Sequence, residues 1–177
     1  MKFRLPLVLI SGLLLAMAPQ ASAQQKASWR QASDVELAAV LPSRAQVQGE
    51  RIETEMRTAS GIINTRGQVI AGVVLITAGY SADGKYSHFL KVQVPIRLGG
   101  VVLKAGDYAF GWTRSPETDT LQINLHAAAT GALIGTTTAH RISGPLRIES
   151  LRIWPPSQKA ILQIGRFQVP YEILTAQ

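Results

Sequence analysis

Between Tyr86 and Trp112 the chain alternates between apolar and polar side chains. Tyr86, His88, Leu90, Val92, Val94 and Ile96 share one parity, and Lys85, Ser87, Lys91, Gln93, Pro95 and Arg97 share the other, with Phe89 as the one exception. A period of two sets successive side chains on opposite faces of an extended strand, whereas a helix would scatter them around its circumference. Gly99-Gly100 then supplies a turn, Val101 to Leu103 a short strand, and Ala105-Gly106-Asp107 a second turn. Beyond it, Tyr108, Phe110 and Trp112 fall on one face. The stretch predicts consecutive strands with one face buried and one wet.

The rest of the chain repeats the theme. Gln68 to Tyr80 is nearly continuous apolar and β-branched, which suits a strand covered on both faces, with a kink at Gly72. Ser81-Ala82-Asp83-Gly84 is expected to turn a hairpin. Arg51 to Arg57 alternates with a charged outer face, Leu121, Ile123 and Leu125 alternate with Gln122, Asn124 and His126, and Ala129-Thr130-Gly131 turns the chain into Leu133 to His140. Pro95 cannot donate to a ladder, so an edge or bulge is expected there. The parity of Leu146 and Ile148 is reversed at Leu151 and Ile153, which predicts a bulge near Glu149-Ser150. Leu162 and Ile164 give way likewise to Phe167 and Val169 across Gly165, and the two phase changes suggest a bent ribbon joined through Trp154-Pro155-Pro156-Ser157. Tyr171 to Leu174 reads as a final edge. Ser33-Asp34-Val35-Glu36 is a capping box for one short helix that Pro42 stops. About nine or ten short strands with regular turn signals predict an all-β fold: an antiparallel β-sandwich, jelly-roll-like or a partly open barrel, with one short N-terminal helix.

The first residues have a separate meaning. MKFR is a basic start, Leu5 to Ala18 is apolar, and Ala21-Ser22-Ala23 is a small-residue cleavage signal. Residues 1–23 are therefore expected to be a secretory signal peptide. Residues 24–48 form an N-terminal segment that carries the short helix, and 49–177 a single β-sandwich domain. Export to the periplasm or the extracellular space follows. No cysteine is present, which excludes thiol catalysis, cysteine-ligated zinc and a lipidated N-terminal cysteine. The formal net charge of +7 favours glycans with acidic groups, an anionic envelope surface or another envelope protein as partners; export argues against nucleic acid. No cofactor is implied. Aromatic residues make up only 6% of the chain, too few for the girdles of an outer-membrane barrel.

From Gly100 to Phe110 the chain reads glycine, apolar residues, Ala105-Gly106, one residue, Tyr108, and the hairpin from Ala129 to Gly135 follows. In these segments the chain resembles uncharacterised secreted β-domain proteins of soil bacteria, acidobacteria in particular. The resemblance implies a fold class and a compartment, and it carries no catalytic residues.

Catalytic patterns are weak. His88 lies on an apolar face, where a satisfied core histidine is expected. His126 and His140 sit near the ends of adjacent strands and could approach each other, but no zinc-ligand spacing accompanies them. Ser87 and His88, as strand neighbours, are expected to face opposite sides. Asp107, Glu117, Asp119 and Glu149 are turn carboxylates that nothing pairs. The candidate binding residues are Trp112, Arg114, Arg152 and Trp154, because tryptophan beside arginine stacks on a ring or apolar ligand and holds an anionic substituent. The expected function is a non-enzymatic binding or interaction domain of the envelope or extracellular space. The alternatives are a hydrolase with a site assembled from distant residues, or a structural component pairing through an edge strand near Pro95 or Tyr171.

Overall fold

The computed structural model describes residues 28–145 and 147–174. The expected signal peptide and Leu146 lie outside them. The chain forms β1 (Trp29–Gln31), α1 (Asp34–Val40), β2 (Arg44–Val47), β3 (Glu50–Asn64), β4 (Val69–Ile76), β5 (His88–Val92), β6 (Ile96–Leu98), β7 (Val101–Leu103), β8 (Gly106–Ser115), β9 (Thr120–Ala127), β10 (Leu133–Arg141), β11 (Glu149–Ile153), β12 (Ile161–Gly165) and β13 (Phe167–Ile173). The fold is all-β with one short helix. Ser33 caps α1 and Glu36 reaches back to the Ser33 N–H, the full capping box.

The sheet runs β1-β3-β4-β5-β8-β9-β10-β13-β12-β11, and every pair is antiparallel. Of the sandwich and the partly open barrel, it takes the second form. β11, the last strand, comes round against β3 and β4 without a ladder to either. Inward-facing Ile62, Ile70, Leu90, Phe110, Ile123 and Val169 fill the barrel, together with Leu151 and Ile153 from β11. Gly72 faces this seam, and the Leu151 side chain occupies the space where a Cβ would stand. The hairpin β6–β7 pairs with the second half of β13 and sends Ile96, Leu98 and Leu103 into the same cluster. It closes one end of the barrel.

A second core lies outside. α1 and β2 lay Leu37, Leu41, Ala45 and Val47 over Ala71, Val73, Phe89 and Ala109 on the outer face of β4, β5 and β8. β4 is thus covered on both sides, which accounts for its unbroken apolar run. Phe89, the exception to the inner-face pattern, is buried in this outer core. Tyr86 is there too, not inside with His88: it precedes β5, in the wide connection between β4 and β5, where strand parity does not apply. That connection replaces the tight Asp-Gly hairpin expected at Ser81 to Gly84. It crosses so close to β8 that a Cβ on Gly111 would stand 2.2 Å from the Lys85 carbonyl oxygen.

Other expectations change for local reasons. Thirteen strands among the described residues replace nine or ten, because β1, β2 and β6 have only three or four residues and carry little periodicity. Gly165 is not a bend within a ribbon: Ile164 pairs with Phe167, so the phase change is a hairpin turn. Tyr171 is not at an edge, since β13 lies between β12 and both β10 and β6. Pro170 is tolerated there because β13 passes from β10 to β6 at that point. The bulge near Glu149-Ser150 is present, between Glu149 and Arg152.

A larger irregularity lies in β3. Glu55 pairs with Val74 and Ser60 with Gly72, so five steps along β3 match two along β4. Thr58 bridges the excess: its hydroxyl donates to the Glu55 carbonyl at 2.7 Å and accepts from the Val74 N–H at 3.0 Å. Just past it, the buried Ser60 hydroxyl accepts the Ile153 N–H at 2.9 Å, joining β11 to β3. Ser60→Ala leaves that N–H buried without a partner, and the expected cost is about 1–3 kcal/mol. Urea unfolding measures it, and amide exchange at Ile153 is expected to accelerate more than at Leu162. An unchanged midpoint would mean that the seam holds without this bond.

Candidate functional site

The end of the barrel opposite β6–β7 is open, and the bulges of β3 and β11 stand at its rim. A cavity of about 650 Å³ lies there. Val74, Leu121, Ile148, Ile164 and Phe167 give it apolar walls, and Thr58 and Ser150 come from the bulged stretches of β3 and β11. Trp112 and Arg114 on β8, Arg141 at the end of β10, and Arg166 in the β12–β13 turn complete the lining. Trp112 is 43% exposed and Ile148 57% exposed. Both are large apolar groups held at the opening against the hydrophobic effect.

The arginines are partly tied. Asp119, in the β8–β9 turn, accepts from Arg114 at 2.9 Å and from Arg141 at 2.7 Å. Arg141 and Arg114 together hold its carboxyl below the usual carboxylate range. Arg114 also lies 5.9 Å from the centre of the Phe167 ring. Arg166 is exposed and makes no ion pair among the described residues.

His88 lies at the floor, 4% exposed and stacked on Phe110 at 4.7 Å. Its Nδ1 lies 2.8 Å from the Ser87 hydroxyl, which corrects the expectation that these neighbours cannot meet. Ser87 precedes β5, so its side chain is not bound to the strand's alternation. The His88 Nε2 faces the Ser150 carbonyl at 3.5 Å. A carbonyl only accepts, so Nε2 carries the proton, and the Ser87 hydroxyl is shared between Nδ1 and the Phe110 carbonyl at 3.3 Å. Burial pushes the imidazole down to about 4, and the Ser150 carbonyl offsets only part of this. No carboxylate orients the ring, and Ser87 is not part of the cavity lining. The pair therefore lacks the third group and the access to substrate that nucleophilic catalysis uses.

The sequence candidates separate into two places. Trp112 and Arg114, two residues apart on one face of β8, are both in the cavity lining. Arg152 and Trp154 lie outside it. Leu151 and Ile153 point into the barrel, so Arg152 faces away from it, 5.0 Å from the Trp154 ring; Lys159 lies 4.5 Å from the same ring. The Trp154 indole N–H donates to the buried Gln163 at 2.9 Å. His126 and His140 do not meet: His126 pairs with Leu133 and His140 with Thr120, at opposite ends of the β9–β10 hairpin. His126 stands edge-on to Tyr86. No group of three metal-ligating side chains exists among the described residues. Arg141, Arg166 and Ile148 were not legible as site residues, because only the closure of the barrel brings their strand ends together.

The chain matches no family model, no curated protein and no solved structure.

The buried His88 makes acid stability testable. Its folded value is depressed below the ordinary 6.5, so the unfolded chain takes up the proton first as pH falls. Stability should decline between pH 6.5 and about 4 and level off below, with a loss on the order of 3 kcal/mol from this group. His88→Phe keeps the stacking on Phe110 and is expected to flatten that part of the curve of urea midpoint against pH. An equally steep curve in the variant would place the acid sensitivity elsewhere.

Proposed function

We propose that the protein is a non-catalytic binding domain that takes a small ligand into the open end of its barrel. The observation that carries this reading is the cavity itself, with Trp112 and Ile148 exposed at its opening and arginines on its rim. Its size and its apolar walls with a few polar groups suit a small-molecule site, and barrel mouths are a common place for one. The basic, then apolar, N-terminal residues and Ala21-Ser22-Ala23 support export, so that binding takes place in the periplasm or outside the cell.

Trp112 is the natural reporter. Trp154 is flanked by Arg152 and Lys159, and Trp29 is half-buried against the barrel core. Trp112 is the most exposed of the three, so the neutral quencher acrylamide, which the cations around Trp154 do not attract, should reach it most, and a ligand in the cavity should protect it. With a panel of glycans and apolar small molecules, protection by one class is expected. Trp112→Ala should weaken that ligand about tenfold, the loss of about 1.4 kcal/mol that a well-packed contact residue supplies. If no compound on the panel protects Trp112, the cavity is not a ligand site.

A further inference from the structure

Resting on the binding reading above, we propose that the ligand is a single-chain amphiphile with an anionic headgroup: its chain lies against Trp112, Ile148, Ile164 and Phe167, and its headgroup is held by Arg114, Arg141 and Arg166. Two independent features of the cavity point this way, one for each half of such a molecule.

The first is the division of the lining by polarity. The walls are aliphatic and aromatic, and the hydroxyl of Thr58 is already engaged with Glu55 of β3 and Val74 of β4. A sugar needs many hydrogen-bonding partners along its length, and these walls do not supply them. A hydrocarbon chain needs none, and it would cover the exposed faces of Trp112 and Ile148, which now meet water.

The second is the charge. The ionisable side chains of the lining are three arginines and one histidine, and no carboxylate is among them. Asp119 stands outside the lining and accepts from Arg114 and Arg141 at once. It fixes both guanidiniums and leaves each with further N–H donors. Arg166, in the β12–β13 turn beside the end of β10, adds a charge with no ion pair among the described residues. An anion entering there finds donors already oriented, and planar guanidiniums suit carboxylate and phosphate oxygens alike. A cationic headgroup finds no counter-charge in the lining, and a neutral one leaves Arg166 as it is.

The test uses the whole protein and four probes with the same chain: dodecanoate, dodecyl phosphate, dodecanol and dodecyltrimethylammonium, each below its micelle threshold, read by Trp112 fluorescence and by calorimetry. The two anions represent a free fatty acid and a lysolipid-type phosphate, and whichever binds tighter identifies the source. At least one anion is expected to bind about tenfold tighter than dodecanol, with the cation weakest, as a charge-assisted contact of about 1.5 kcal/mol requires. Added salt should weaken the anion and not the alcohol. Arg166→Gln should cost about tenfold in anion affinity and leave dodecanol unchanged. Arg141→Gln, with its fold checked by circular dichroism, should act in the same direction. If dodecanol binds as tightly as the anions, or if both arginine variants bind the anions as wild type does, the anionic headgroup is wrong while the ligand-binding reading stands. If no probe binds, the amphiphile is wrong, and the binding reading then stands or falls with the panel of glycans and apolar small molecules.

Discussion

One hydrogen bond stands at the seam where the barrel closes without a ladder. β11 is the last strand of the sheet, and its outer side has no ladder partner. The Ile153 N–H on that side is buried and must find an acceptor, because an unpaired buried donor costs more than a bond gains. The Ser60 hydroxyl supplies it at 2.9 Å. For Ser60 to be there, β3 has to leave the regular register of β4, and the excess between Glu55 and Ser60 does this. Packing then follows the bond: Leu151 fills the space beside Gly72, and Ile153 joins the inner core.

The same departure from regularity makes the cavity. A strand with extra residues bends away from its neighbour, so the ladder cannot close the wall at that height. Thr58 from the β3 excess and Ser150 from the β11 bulge mark the two sides of the opening. The opposite end is filled by β6–β7. Closure and cavity thus both draw on the irregularities of β3 and β11. The arginines reach the opening because β8, β10 and the β12–β13 turn all end there, and Asp119 draws two of them together.

What the sequence disclosed depended on how local the cause was. The capping box at Ser33, the alternation of β5 and the bulge near Glu149 are written within a few neighbouring residues, and each could be read there. Phe89 stood out as a misfit because its partner surface, α1 and β2, comes from far earlier in the chain. Gly165 could mark a bend or a reversal, and only the pairing of Ile164 with Phe167 decides between them. In the site, Trp112 and Arg114 were legible as a pair because one strand carries both. Arg141, Arg166 and Ile148 carry no local signal, and His126 and His140 were separated by a register that alternation alone does not fix.

The allocation of β3's second side has a wider consequence. β2 pairs with Glu50 to Glu53 and β1 with Ile62 to Asn64, while between them Thr54 N–H reaches the Ser43 carbonyl and Ser60 meets β11. β13 is paired on both sides, and the Pro95 carbonyl accepts from Leu174. Little continuous open backbone remains along these strands, and β7, at the margin of its small hairpin, has only three residues. Sheet proteins with long open margins stack on one another and form fibres. Among the described residues, these strands offer a foreign strand little backbone to pair with.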